Sequence, residues 1–266
     1  MCMNETFVKQ PNLPAGRVTL AAVSEAFPEI PDALEAHGVA CIRTEADPRL
    51  QPQIAHHADM QIFHLDQNRI FVLKGEQALR KKLEAAGFAV AETAAEPVAK
   101  YPGDVLCNAL LLGDKLLANL GSVDPLIYSF VETLGLQTIH VNQGYTRCAT
   151  AVVNDHAIIT MDDGIYAAAQ FMGLDALHIT EHEILLDGYD YGFIGGCCGL
   201  VDRSVLAFTG ALDSLHSADS IRAFLKKHGV EALELTQNRM IDIGGILPLK
   251  VSLNPAGLAQ SELRAF

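Results

Sequence analysis

The stretch Gly229-Val-Glu-Ala-Leu-Glu-Leu235 carries the fold, because the chain repeats it in varied form five times. Its siblings are Gly38-Val-Ala-Cys-Ile42, Gly87-Phe-Ala-Val-Ala91, Gly135-Leu-Gln-Thr-Ile-His-Val141 and Gly173-Leu-Asp-Ala-Leu-His-Ile179. Each glycine closes a helix-like stretch, where the chain needs a left-handed conformation that other residues resist. The alternation that follows has period two, the mark of a half-buried strand. Successive glycines stand 49, 48, 38 and 56 residues apart, so a structural unit repeats.

Upstream of four of these glycines, two strand-like runs precede the helix. Asp59-Met-Gln-Ile-Phe-His-Leu65 turns at Asp66 and returns as Arg69-Ile-Phe-Val-Leu73. Val105–Leu112 turns at Gly113-Asp114, Arg147–Val153 at Asn154-Asp155, and Phe193–Val201 at Asp202. Asx and Gly residues suit such tips because they tolerate positive φ or bond their own backbone. Helix punctuation agrees. Ser122-Val-Asp-Pro125 and Asp162-Asp163 supply caps, and Ser217-Ala-Asp219 opens the last helix. The unit therefore reads strand, strand, helix, strand.

The repeats fall at about 17–50, 57–96, 103–143, 145–182 and 190–238, within a single domain of 1–266. The first lacks its leading strand, and the run from Met240 to Leu249 is a strand without a helix. Pairing the two would interlock the termini and close five units into a ring, hiding strand edges. A doubly wound sheet needs one strand per helix and a (β/α)8 barrel eight such pairs, so neither fits.

Composition narrows the partners. With 50% hydrophobic residues in 266, the chain can bury a substantial core. Nineteen basic against thirty-two acidic residues, a formal charge of −13, argue against nucleic acid and anionic membranes and suit a small cationic substrate. No stretch approaches the ~20 apolar residues of a membrane span. The start, Met1-Cys-Met-Asn-Glu-Thr6, lacks a secretion signal, and the cysteines at 2, 41, 107, 148, 197 and 198 have no paired spacing. A reducing, cytoplasmic setting is expected, with no structural zinc, metal or cofactor.

A ring of five ββαβ units resembles the pentein fold, the α/β propeller of the guanidine-modifying superfamily. Gln143-Gly-Tyr-Thr-Arg-Cys148 and Gly188-Tyr-Asp-Tyr-Gly-Phe-Ile-Gly-Gly196 look similar to signatures of an uncharacterised bacterial pentein-like family. The resemblance implies either a cysteine-dependent hydrolase or transferase acting on a guanidino-type C–N bond, or a non-catalytic binding protein like the ribosome anti-association factor.

The candidate chemistry follows. Counting seven residues back from the turn aspartates 66, 114, 155 and 202 gives Asp59, Cys107, Cys148 and Gly195 as equivalent positions. Residues two apart on an extended strand point the same way, so His57 and Asp59 are expected to address one ligand. In catalytic penteins a His-x-Asp tripeptide supplies a general acid/base and a carboxylate that binds the guanidinium, and His57-Ala-Asp59 matches it. Cys148 is the candidate nucleophile and Cys107 the second choice, since attack on a guanidinium carbon needs a thiolate. Catalytic penteins carry their cysteine in the closing strand, whereas Asp242-Ile-Gly-Gly-Ile246 here has none. Asp104 and Asn108 are expected to hold a polar or cationic group, with Gly195 and Gly196 giving close backbone approach to the substrate. No helix follows Gly192–Gly199, so a phosphate-binding loop is excluded.

Overall fold

A computed structural model describes residues 5–253 of the chain. The six opening residues and Cys2 fall wholly or partly outside that range. Five small sheets are present, four of three strands and one of four. The first unit holds β1 (Glu5–Phe7), β2 (Val18–Ser24), α1 (Glu29–Ala36) and β3 (Ala40–Thr44). The second has the single-turn α2 (Ala58–Gln61), β4 (Ile62–Asp66), β5 (Arg69–Val72), α3 (Gln77–Ala85) and β6 (Ala89–Glu92). In the third are β7 (Leu110–Leu112), β8 (Lys115–Ala118), α4 (Pro125–Thr133) and β9 (Gln137–His140). The fourth contains β10 (Thr150–Asn154), β11 (Ala157–Thr160), α5 (Asp163–Phe171) and β12 (Asp175–His178). The fifth contains β13 (Cys198–Asp202), β14 (Val205–Phe208), α6 (Ala218–Lys227) and β15 (Glu231–Glu234), and β16 (Leu247–Ser252) ends the description.

All five repeat glycines have positive φ, between +66° at Gly229 and +94° at Gly87, and each leads into the unit's last strand. That strand lies parallel to the strand before the helix, with Ile158 opposite Ala176 in the fourth unit and Leu206 opposite Ala232 in the fifth. Units two to five begin with an antiparallel hairpin, as expected. In the first unit the hairpin partner of β2 is β16, in the order β1-β16-β2-β3. The two ends of the described chain thus share one sheet. The sheets themselves stay separate, and no sheet closes on itself among the described residues.

Two expectations need correction. The extra strand begins at Leu247, not near Met240, and residues 240–246 form an irregular crossing marked by positive φ at Gly244 and Gly245. The hairpins also start later than their apolar runs. Residues 58–61 are helical, 194–197 form a 3-10 turn, and 146–149 form a turn in which the Ala149 N–H reaches the Tyr145 carbonyl at 2.9 Å. All these segments are buried on every side, where periodicity cannot separate a helical turn from a strand.

Helix caps follow local chemistry. Asp124 accepts from Leu126 N–H and also from Ala94 and Ala95 N–H, tying α4 to the loop after β6. Asp162 accepts from Ile165 N–H at the start of α5. Ser217 makes no side-chain cap. Instead the buried carboxylate of Glu181 accepts from His216 N–H at 3.2 Å and Ser217 N–H at 2.5 Å, joining the fourth unit to α6. No helix among the described residues is long and apolar enough to cross a membrane. Because charged acceptors satisfy helix N–H groups strongly, Glu181→Ala should cost about 2 kcal/mol in urea-monitored unfolding.

Candidate active site

The turns that open the second to fifth units converge with the 240–246 crossing. Cys148 Sγ donates to Asp59 Oδ2 at 2.7 Å, and Asn108 Nδ2 approaches the same sulfur at 3.4 Å. Asn108 Oδ1 accepts from the backbone N–H groups of Arg147 and Cys148 at 2.9 and 3.3 Å, while its Nδ2 also lies 3.3 Å from Met60 Sδ. Gly196 N–H reaches the Cys148 carbonyl at 3.0 Å, and the Gly196 carbonyl accepts from Ile243 and Gly245, each at 2.9 Å. Asp59 N–H completes the circuit on the Gly244 carbonyl at 3.2 Å. These bonds link the second, third, fourth and fifth units and the crossing in one loop.

Asp242 locks the crossing. Its Oδ2 accepts from Phe193 N–H at 2.8 Å and its Oδ1 from Gly244 N–H at 3.0 Å. His57 Nδ1 faces Asp242 Oδ1 at 3.8 Å, beyond direct hydrogen-bond distance. His57, Asp59, Cys148 and Asp242 are each at most 3% exposed. Arg147, the one cation among these buried groups, gives Nε to Asn12 Oδ1 at 3.0 Å and Nη1 to the Gly195 and Thr150 carbonyls at 3.1 and 3.3 Å.

Electrostatics follow from burial. Desolvation, with Asp242 close by, raises the Asp59 carboxyl to about 7, partly offset by Arg147 and the Cys148 thiol. Burial and then the Asp59 and Asp242 carboxylates push the Cys148 thiol well above its ordinary range. Burial lowers His57, opposed by Asp242, so its imidazole rests neutral. The resting site therefore holds a protonated thiol.

A cavity of about 270 Å³ opens over the sulfur. His57, Cys148 and Asp242 form its polar part, and Tyr145, Tyr189, Tyr191 and Phe193 much of its wall, with Asp190 alongside. Tyr145 stacks on Tyr101, and Tyr189 donates to Gln51 Oε1 at 2.9 Å.

The structure thus brings His57, Asp59 and Cys148 together, but by another route than a shared strand. His57 has extended backbone and Asp59 stands in the first turn of α2. Asp59 sits behind the sulfur and lines a separate, smaller void with Cys107, Asn12 and Arg147. Cys107 packs in the hydrophobic core of the second and third units. Asp104 accepts from the Tyr145 hydroxyl at 2.6 Å and so backs the aromatic wall. Gly195 and Gly196 give room instead of lining the cavity. A Cβ on Gly195 would stand 2.3 Å from the Thr150 carbonyl oxygen, and one on Gly196 only 1.9 Å from Asp242 Oδ1. Sequence reasoning missed Asp242 and the tyrosines. The alternating aromatics of Tyr189-Asp-Tyr-Gly-Phe193 were the available signal for the wall.

Residues 22–247 match the family of unknown function DUF6873, and the chain belongs to that family. No curated protein sequence matches it. Among solved structures it is similar to the inosamine-phosphate amidinotransferase of Streptomyces griseus, at a TM-score of 0.56 and 10% identity over 97% of this chain and 99% of that one. The agmatine deiminase of C. jejuni matches at 0.52 and 9% identity, over 96% and 98%. The dimethylarginine dimethylaminohydrolase (DDAH) of Pseudomonas aeruginosa, complexed with citrulline, matches at 0.51 and 10%, over 82% and 92%. The fold is that of the pentein superfamily.

Asn108→Ala removes the acceptor for two buried N–H groups and should destabilise the protein by about 1–3 kcal/mol in denaturant unfolding.

Proposed function

We propose that the protein is a cysteine-dependent hydrolase or transferase acting on a guanidino-type C–N bond of a small cationic molecule. The observation that carries this reading is the Cys148 thiol, 2.7 Å from Asp59, beneath a cavity walled by tyrosines and carboxylates. The names of the three similar structures, an amidinotransferase, a deiminase and a dimethylaminohydrolase, support the reaction class. We also read the five modules as one α/β-propeller domain about an axis through the site, which the circuit of bonds from Asp59 to Gly244 supports.

In this reading the cation rests against the faces of Tyr145, Tyr189 and Tyr191, where ring quadrupoles attract it. Asp242 and Asp190 receive its N–H groups, a role that falls to Asp242 because Asp59 lies behind the sulfur. The arriving positive charge offsets the carboxylates that hold the thiol protonated. Asp59 takes the thiol proton across its 2.7 Å contact, and His57, within 4.8 Å of both the sulfur and that carboxylate, carries it to the departing amine. The sulfur's electron pair forms the S–C bond as the C–N bond breaks, leaving a covalent thiouronium. Water or an acceptor amine then attacks that carbon and loses a proton to His57, and that proton returns to the sulfur as the S–C bond breaks.

A cationic haloacetamidine should alkylate Cys148 about ten-fold or more faster than the neutral haloacetamide, a difference that a favourable field of a few kT supplies. Asp242→Asn should remove most of that preference, with sites mapped by mass spectrometry. Equal, slow labelling of Cys148 and the other cysteines would reject the catalytic reading. The rival, a pentein-fold binding protein that holds a cation without chemistry, is favoured by the absence of a cysteine from Asp242-Ile-Gly-Gly-Ile246. It predicts calorimetric binding of guanidino compounds that survives Cys148→Ser, and no turnover by the unmutated protein.

A further inference from the structure

We infer that Cys148, His57 and Asp59 form a binding site for one zinc-class divalent ion. Their ligand atoms lie within 4.8 Å of one another, contributed by the fourth unit's opening turn and by the segment that enters and forms α2. Nε2 of His57 and Oδ1 of Asp59 are buried without a hydrogen-bond partner, and Nδ1 of His57 has only Asp242 Oδ1 facing it at 3.8 Å. Buried polar atoms are nearly always satisfied, so several orphans around one point call for a ligand that uses lone pairs. A metal ion does so.

The donor set selects the ion. Thiolate, imidazole and carboxylate together suit zinc and its neighbours, at about 2.0–2.3 Å from each donor, and the sulfur disfavours magnesium and calcium. Asp242 Oδ1 faces His57 Nδ1, the position of the outer carboxylate that orients metal-bound histidines, which leaves Nε2 for the ion. Asn108 Nδ2 stands 3.4 Å from the sulfur as a donor to the bound thiolate. With three protein ligands, a fourth position faces the cavity, since His57 and Cys148 both line it. Cys197 and Cys198 offer no such set, because each sulfur donates to a nearby backbone carbonyl, of Phe193 and Ile194.

On binding, the ion replaces the thiol proton, which leaves to solvent, and Asp59 exchanges its thiol contact for the metal. The metal-bound sulfur shares its electron pair with the ion, so metal occupancy should slow its alkylation. The inference does not rest on the nucleophile reading above.

The test uses the full chain after chelator treatment. Titration with zinc should show one ion per chain by calorimetry, and cobalt(II) should produce a near-ultraviolet sulfur-to-cobalt charge-transfer band with visible bands of four-coordinate metal. Cys148→Ser should abolish the near-ultraviolet band and weaken binding by about ten-fold or more, while Cys107→Ser leaves both intact. Zinc should also protect Cys148 from iodoacetamide. Absence of the band in the unmutated protein at saturating cobalt, or its full retention in Cys148→Ser, would overturn the inference. Labelling of the metal-free protein by the cationic haloacetamidine is read separately, so either conclusion can fall while the other stands.

Discussion

The site depends on the pairing of β16 with β2. Leu247 opposite Ala22 and Val251 opposite Val18 anchor the C-terminal strand in the N-terminal sheet. This anchorage, with the Leu185 backbone bonded to Met240 and Asp242, carries residues 240–246 across the mouth of the other units. There Asp242 receives Phe193 N–H, Gly244 offers its carbonyl to Asp59, and Ile246 N–H bonds the Cys198 carbonyl at 3.1 Å. Space is as restrictive as bonding. A Cβ on Gly244 would lie 2.3 Å from the His57 Cβ, and one on Gly199 would lie 2.0 Å from the Ile246 carbonyl oxygen. Glycines on both sides of the contact let two backbones touch at a depth where side chains would hold them apart.

That closeness has an electrostatic cost. Two carboxylates, Asp59 and Asp242, are buried beside one guanidinium, and Arg147 spends its N–H groups mainly on carbonyls and Asn12. Asp242 is compensated by two backbone N–H donors, whereas Asp59 has one oxygen on a thiol and the other on nothing. Burial without full compensation is what lifts Asp59 toward neutrality and keeps the Cys148 proton in place. Groups perturbed in this way cluster at functional sites, and a positive charge placed between the two carboxylates would relieve the imbalance. A core built only for stability would have replaced these groups with apolar ones.

The sequence disclosed the repeat because its signals are local. A left-handed C-cap and a half-exposed strand are written in a few consecutive residues, and all five glycines show the positive φ that this requires. The pairing of β16 with the first unit was legible too, as the one strand left over matched the one missing. The inner ends of the hairpins were not legible, since Ala58–Gln61 and Ile194–Cys197 are buried on all faces and carry no periodicity. Asp242 escaped because its role depends on Phe193, 49 residues away, and on a turn at Gly244 that an apolar run conceals. The turn register and the His-x-Asp pattern singled out His57, Asp59 and Cys148, which lie together, yet the pattern assigned Asp59 to the cavity when the helical turn places it behind the sulfur.

The repeated module explains how several separate sheets can serve one centre. At about 10% identity the similar structures share the fold alone, so the closing segment has to be read from this chain's own contacts. Here that segment contributes Asp242 and two glycines, and the thiol enters from the fourth unit. In each of the second to fifth units the opening turn reaches the same small volume, as the contacts of Asp59, Asn108, Cys148 and Gly196 demonstrate. A side chain from any of these units can therefore face the centre, provided the positions beside it are small enough for the backbones to close up. Gly244 and Gly245 meet that condition, with φ near +75° and the first of them pressed against His57. What the architecture supplies is a point of convergence, and the side chains that occupy it are set by each module's opening turn.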